Sequence, residues 1–269
     1  HLLAGAPKIG KSWLALWLAV MVAKGDPIWG MGVKQGTTLY LCLEDSLTRI
    51  QSRLFQITDD APEALHFATI AAGIGEGLEE QLTNFLTQHP DTSLVVIDTL
   101  QRIRTGSDSG NPYANDYRDI SVLKALADKH HIAILLIHHL RKMNDDDPMN
   151  MISGTTGISG ATDSNFVLKE RRRGSGEATL YCTGRDIEYR ELPLVFDKSG
   201  YTWRLTEPVE GERTSIDPEA ISLSAFLRGL GSFEGTATEL STLLEAQTGE
   251  KLTPSVLSKR LVKYAEVLE

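Results

Sequence analysis

The sequence is short of three things, and each shortage closes off a class of protein. Cysteine is nearly missing: Cys42 and Cys182 are the only two among 269 residues, and each sits in an apolar, strand-like run without metal-ligand spacing. This excludes a disulfide scaffold or a zinc ribbon and fits buried, reduced thiols, so a cytoplasmic protein is expected. Positive charge is also scarce, with 27 Lys and Arg against 36 Asp and Glu, a net charge of −9. A protein coated for nonspecific nucleic-acid binding is thereby excluded, and any DNA contact must rest on a local basic channel. Long hydrophobic runs are lacking as well. The most apolar stretch, 13–23, is too short to span a bilayer and no signal peptide precedes it, so no membrane partner is expected. His1 stands where a start methionine would, and the chain is expected to be a piece of a longer one.

What is present begins with residues 5–12. Gly5, Ala6, Pro7, Lys8, Ile9, Gly10, Lys11 and Ser12 fit the phosphate-binding loop: glycine, four residues, glycine, lysine, serine. Leu2, Leu3 and Ala4 read as the end of a buried strand, and Trp13 to Ala23 as a helix apolar nearly all round. Strand, glycine loop and buried helix form the context in which backbone N–H groups and a helix N-terminus face phosphates. Lys11 then reaches the β- and γ-phosphates and the Ser12 hydroxyl holds Mg2+, with Trp13 counted among the nucleotide-binding residues. A glycine turn before a core helix explains the glycines but not the Lys-Ser pair. ATP and Mg2+ are the expected cofactors.

The chain then alternates strand and helix. Thr37 to Leu43 is a continuous apolar strand ending in Glu44-Asp45-Ser46, and the following helix carries Leu47, Ile50 and Leu54. Leu65 to Ile70 is a third strand, Gly73, Gly75 and Gly77 make a turn, and a helix spans about 78–88. Ser93 to Asp98 is four apolar residues ending in aspartate, a form in which Asp98 holds the water shell of Mg2+. A polar loop at 105–116 leads to a helix at about 117–129, then to the strand Ile132–Ile137, ending in His138-His139. Such alternation predicts an α/β fold with a mostly parallel sheet covered on both faces.

Hydrolysis needs a base near the γ-phosphate. Glu44, at the carboxyl end of a core strand, is the expected one, although Asp45 would serve equally as a helix N-terminal charge. Of His138 and His139 only one can sense the γ-phosphate, because adjacent strand residues face opposite ways. His139 is preferred, and the other is structural.

A polar stretch at 141–160 follows. From Asn165 the hydrophobic period becomes two, reading as an antiparallel hairpin with a Gly174-Ser175-Gly176 turn, continued by Leu192–Phe196 and Tyr201–Leu205. The expected domains are a core at 1–207, a linker at 208–217 and a small helical domain at 218–269. The last part carries the capping box Thr236 to Glu239 and a Thr253-Pro254 helix start. It also holds a basic run of Lys251, Lys259, Arg260 and Lys263, which suits a winged-helix or helix-turn-helix module or a helical cap with a solvated basic face.

Taken together, Gly-Ala-Pro-Lys-Ile-Gly-Lys-Ser, Tyr-Leu-Cys-Leu-Glu-Asp with Arg53 downstream, and Val-Val-Ile-Asp-Thr-Leu resemble a known family. Leu-Leu-Ile-His-His-Leu-Arg-Lys and Ser-Gly-Thr-Thr-Gly-Ile-Ser-Gly-Ala-Thr-Asp continue the likeness. The family is the RecA-fold ATPases of the RepA and DnaB-like hexameric replicative helicases. The resemblance implies a RecA-like P-loop fold, Glu44 as base, Asp98 at the metal, a His138/His139 sensor and DNA-facing loops at 105–116 and 141–160. It also implies an arginine supplied by the neighbouring subunit, matched by Arg185 in Thr-Gly-Arg-Asp; DnaB-like relatives carry a lysine two residues earlier, where this chain has Thr183. Arg171 to Arg173 are rivals for that role. The implied partners are further copies of the chain in a hexamer or other ring, and single-stranded or forked DNA. A helicase-type ATPase of plasmid, phage or mobile-element replication is the leading reading, and an ATP-switched initiator or loader is the alternative.

Overall fold

The computed structural model describes residues 1–105, 111–141, 145–172, 174–206, 223, 226–227, 230, 233–249 and 251–263. The chain divides into two compact units, His1–Val209 and Glu210–Glu269. The linker expected at 208–217 lies outside the described residues.

The first unit is built on one nine-stranded sheet. Its strands are β1 (Leu2–Gly5), β2 (Thr37–Cys42), β3 (Leu65–Ala68), β4 (Thr92–Asp98), β5 (Ala133–His139), β6 (Ser164–Glu170), β7 (Glu177–Gly184), β8 (Arg190–Asp197) and β9 (Thr202–Leu205). They lie in the order β3-β2-β4-β5-β1-β6-β7-β8-β9. Pairings are parallel from β3 through β6 and antiparallel from β6 to β9. The expected hairpin therefore extends the parallel sheet rather than forming a separate one. The central strands are buried on both faces, which is why they read as unbroken apolar runs instead of alternating ones.

Helices α1 (Lys11–Lys24) and α2 (Leu47–Ile57) cover one face, packing Leu14, Leu16, Val20, Ile50 and Leu54 against Leu3, Tyr40, Val96 and Ile137. The opposite face carries α3 (Leu78–Gln88), α4 (Leu100–Ile103), α5 (Pro112–His130) and α6 (Thr156–Ala161) over Leu2, Leu39, Ile97 and Leu136. α1 ends at Gly25, whose φ of 74° lets its N–H bond the Met21 carbonyl at 2.8 Å.

Four sequence readings shift. α5 starts at Pro112, because the Asn111 side chain accepts from Tyr113 N at 3.0 Å and proline suits the first helical turn. The polar loop is thus shorter than 105–116, and its residues 106–110 lie outside the described part. The 141–160 stretch is not one loop: it holds a 3-10 turn at Pro148–Met151 and α6, with Met151, Ile152 and Ile158 buried. Residues 142–144 of it are outside the described part. Leu47 is 57% exposed and lies off the core face, and Ile70 lies beyond β3 and is exposed.

In the second unit, α7 (Ala237–Thr248) opens with the capping box, Thr236 accepting from Glu239 N and Glu239 from Thr236 N. α8 (Pro254–Lys263) follows, and Leu223, Phe226, Leu240, Leu244 and Leu257 form a small core. Lys251 and Lys259 are exposed.

Candidate nucleotide site

Parallel strands bring their carboxyl ends to one edge, and the loop from β1 to α1 lies there. Gly10 holds φ 99°, open to glycine, and a Cβ on it would meet the Trp203 ring at 3.2 Å. A Cβ on Gly5 would come within 2.9 Å of the Leu168 carbonyl. Both motif glycines are therefore required by close approach. Lys11 is buried, and its Nζ donates to the carbonyls of Gly5 at 2.8 Å and Ala6 at 2.9 Å. Burial pulls its pKa down to about 8, against the opposing pull of Asp98 and Glu44.

Asp98 ends β4 on the face shared with Val96 and α1. It is buried, hydrogen-bonds the Ser12 hydroxyl and accepts from the Tyr40 hydroxyl at 2.9 Å. Burial raises its pKa, while the Ser12 and Tyr40 hydrogen bonds lower it. Two hard oxygen donors in contact at the root of a phosphate loop fit Mg2+, which takes one or two protein oxygens beside phosphate and water.

Glu44 and Asp45 separate in the structure. Asp45 is taken by Arg49 at 2.8 Å and Arg53 at 2.6 Å. Glu44 turns toward the site instead, its Oε1 accepting from Thr99 Oγ1 at 3.0 Å with Arg102 Nε at 3.6 Å. It is close enough to influence both Lys11 and Asp98.

The histidines separate too. In the register of β1 and β5, Ala4 pairs with His138 and Gly5 with His139. His139 has the parity of Leu135 and Ile137, which face α1, and so lies on the phosphate-loop face beside Gly5. Its Nδ1 is buried without a partner among the described residues. His138 faces the other way, its Nε2 at 2.9 Å from the Ser153 carbonyl. Burial lowers its pKa, with the Ser153 hydrogen bond opposing.

The antiparallel half contributes what sequence reasoning missed. Four strand spacings of about 4.8 Å would put β9 roughly 19 Å from β1 in a flat sheet. Yet Trp203 Nε1 donates to the Gly10 carbonyl at 3.3 Å, so the sheet curls over α1. Trp13 stacks on Tyr201 at 4.9 Å, with the Arg53 guanidinium 5.4 Å from the Trp13 ring centroid. Trp17 meets Trp29 at 5.5 Å, and Trp29 Nε1 bonds the Trp203 carbonyl at 2.7 Å. All four tryptophans of the chain thus line the loop and its helix. The signal was a cluster of Tyr201, Trp203 and Phe196 in a sequence only 7% aromatic.

Arg185 is not at this edge. Gly184 pairs with Ser164, four residues before Leu168, which is level with Gly5. Along the strands that is about 13 Å, and away from the loop. There Arg185 is 57% exposed, with Asp163 Oδ1 3.6 Å from its Nη1. Arg171, at the top of the β6–β7 hairpin, is on the loop's edge and pairs with Glu177 at 3.7 Å. Arg173 lies outside the described residues.

Comparison with known proteins adds three findings. Among curated proteins none matches the chain. Two solved structures are similar to its fold: one described as an ATPase domain, the other a DnaB-like replicative helicase solved for its interactions with primase. Each is 15% identical with a TM-score of 0.62 over 77% of this chain, covering 84% of the first chain and 57% of the second. The chain thus spans little more than half of that helicase. The likeness fixes the fold as that of a DnaB-like helicase ATPase domain, as the motif order implied. The AAA domain family AAA_25 matches residues 1–145, from the phosphate loop past His139, and at more than half of the sequence this match shows that the chain belongs to the AAA_25 family.

Proposed function

We propose that this chain is an Mg2+-dependent, ring-forming ATPase of helicase type, working on single-stranded or forked DNA in plasmid, phage or mobile-element replication. One observation carries the reading. The loop residues Gly5–Ser12, Glu44, Asp98 and His139 gather at one sheet edge, while Arg185 stands at the opposite edge, beyond reach of its own loop. An arginine so placed serves a nucleotide only on another copy, and a ring gives every loop such a neighbour.

In this reading the loop N–H groups and Lys11 bind the phosphates, and Trp13 with Tyr201 offers the base a stacking face. Ser12 and Asp98 would hold Mg2+, which neutralises charge on the phosphate oxygens when bound. Glu44 takes the proton of the attacking water, and His139 lies where loss of the γ-phosphate is felt. Arg185 of the neighbouring copy stabilises the charge of the transition state. The likeness to replicative-helicase ATPase domains supports DNA as the track.

The exposed Lys251 and Lys259 of the C-terminal unit favour a second reading, an ATP-switched DNA-binding loader. Mass in solution with a nonhydrolysable ATP analogue and single-stranded DNA tests the ring, and unwinding of a forked duplex tests the helicase. Assembly with unwinding, both lost in Lys11→Ala, is the expected result. DNA-stimulated hydrolysis without unwinding favours the loader, and a monomer under all conditions overturns the ring.

A further inference from the structure

Glu44 sits in an irregular turn after β2 with its side chain 41% exposed, so its own backbone does little to aim it. The neighbouring strand end aims it instead. Thr99 directly follows Asp98, is 2% exposed, and donates its hydroxyl to Glu44 Oε1 at 3.0 Å. Arg102, in the same turn as Thr99, brings Nε to 3.6 Å from that same oxygen. The two strand ends are joined by the backbone as well, Leu43 N donating to the Asp98 carbonyl at 2.8 Å.

We propose that Thr99 is a positioning residue for Glu44, its hydroxyl pinning Oε1 so that the second carboxylate oxygen is the one presented to the attacking water. The proposal rests on the reading of Glu44 as the base. An oxygen that already accepts a hydrogen bond and faces a guanidinium holds a proton poorly, whereas its unengaged twin keeps its basicity. Misplacement of a catalytic group by about 1 Å costs roughly a hundredfold in rate, so one fixed oxygen matters. Because Thr99 and Asp98 are consecutive, the base and the metal carboxylate are held to one stretch of backbone and move together.

The test compares steady-state ATP hydrolysis by the wild type, Thr99→Val, Thr99→Ser, Glu44→Gln and the double variant Glu44→Gln/Thr99→Val. Tryptophan fluorescence with a nonhydrolysable ATP analogue reports binding. Thr99→Val is expected to lower kcat about ten- to hundredfold, as for loss of a hydrogen bond to a charged group. KM and analogue affinity stay within about twofold, and Thr99→Ser, which keeps the hydroxyl, recovers most of the rate. In the Glu44→Gln background Thr99→Val adds no further loss, since nothing is left to aim. Wild-type turnover by Thr99→Val overturns the proposal, as do equal losses in Val and Ser or a full additional loss in the double variant. Wild-type turnover by Glu44→Gln itself is a different result and removes the base assignment first.

Discussion

The parallel and antiparallel halves of the sheet use the same kind of strand to different ends. In the parallel half, β1, β2, β4 and β5 all finish at one edge, and Gly5, Glu44, Asp98 and His139 collect there. In the antiparallel half, successive strands finish at opposite edges. Tyr201 enters β9 at the phosphate-loop edge, and Arg185 leaves β7 at the far one. A parallel sheet can therefore assemble a site, and an antiparallel extension can serve two sites at once, buttressing its own and contributing to a neighbour's.

That contrast is most directly broken at Arg185. Arg185→Ala should bind ATP normally and lose about 10³–10⁵ in turnover, the usual worth of an arginine supplied at the γ-phosphate. Mixing it with Lys11→Ala subunits should restore hydrolysis. Interfaces then exist in which an intact loop meets an intact arginine. If the mixture stays inactive, Arg185 does not act across subunits and Arg171 becomes the candidate. Next in size is Glu44→Gln, expected to cost about 10²–10⁴ in kcat with ATP binding retained. Turnover at the wild-type rate would take the base out of the parallel half.

The buttress is tested by Trp203→Ala. Trp203 is 2% exposed, packs edge-on to Phe196 at 5.2 Å and bonds the Gly10 carbonyl. Truncating a buried aromatic typically costs about 3–5 kcal/mol, so urea unfolding of the variant should show a much lower midpoint. A stability near wild type would mean that β9 lies over the loop without supporting it.

The two halves also differ in how far the sequence discloses them. Every functional residue of the parallel half stands at a strand end beside a spacing rule, so Lys11, Ser12, Glu44 and Asp98 could be named from local pattern. The choice between Glu44 and Asp45 was open until Arg49 and Arg53 were seen to hold Asp45. Likewise His139 was separable from His138 once the register with β1 was known. Tyr201, Trp203 and Thr99 act through contacts spanning 55 to 193 positions along the chain or across two loops, and no periodicity encodes those. The start of α5 was missed for a smaller reason, an Asn-Pro cap read as loop.

The smallest effect concerns the face of the parallel half turned away from the nucleotide, at His138. This side chain is 4% exposed, with Nε2 against the Ser153 carbonyl and Nδ1 without a partner among the described residues. Burial is the largest influence and lowers its pKa; His139 and Arg104 lower it further, while Ser153 and Asp116 oppose. Unfolded, the imidazole takes a proton near 6.5. Between that value and the lower folded one, the unfolded chain binds more protons than the folded chain. Folding stability is therefore fully present above about pH 6.5 and falls on acidification, by at most about 1.4 kcal/mol per unit for one group. His138→Gln keeps a donor for Ser153 and removes the titration. Its unfolding midpoint should fall less than the wild type's between pH 7.5 and 5.5, whereas equal falls would assign the acid sensitivity to groups other than His138.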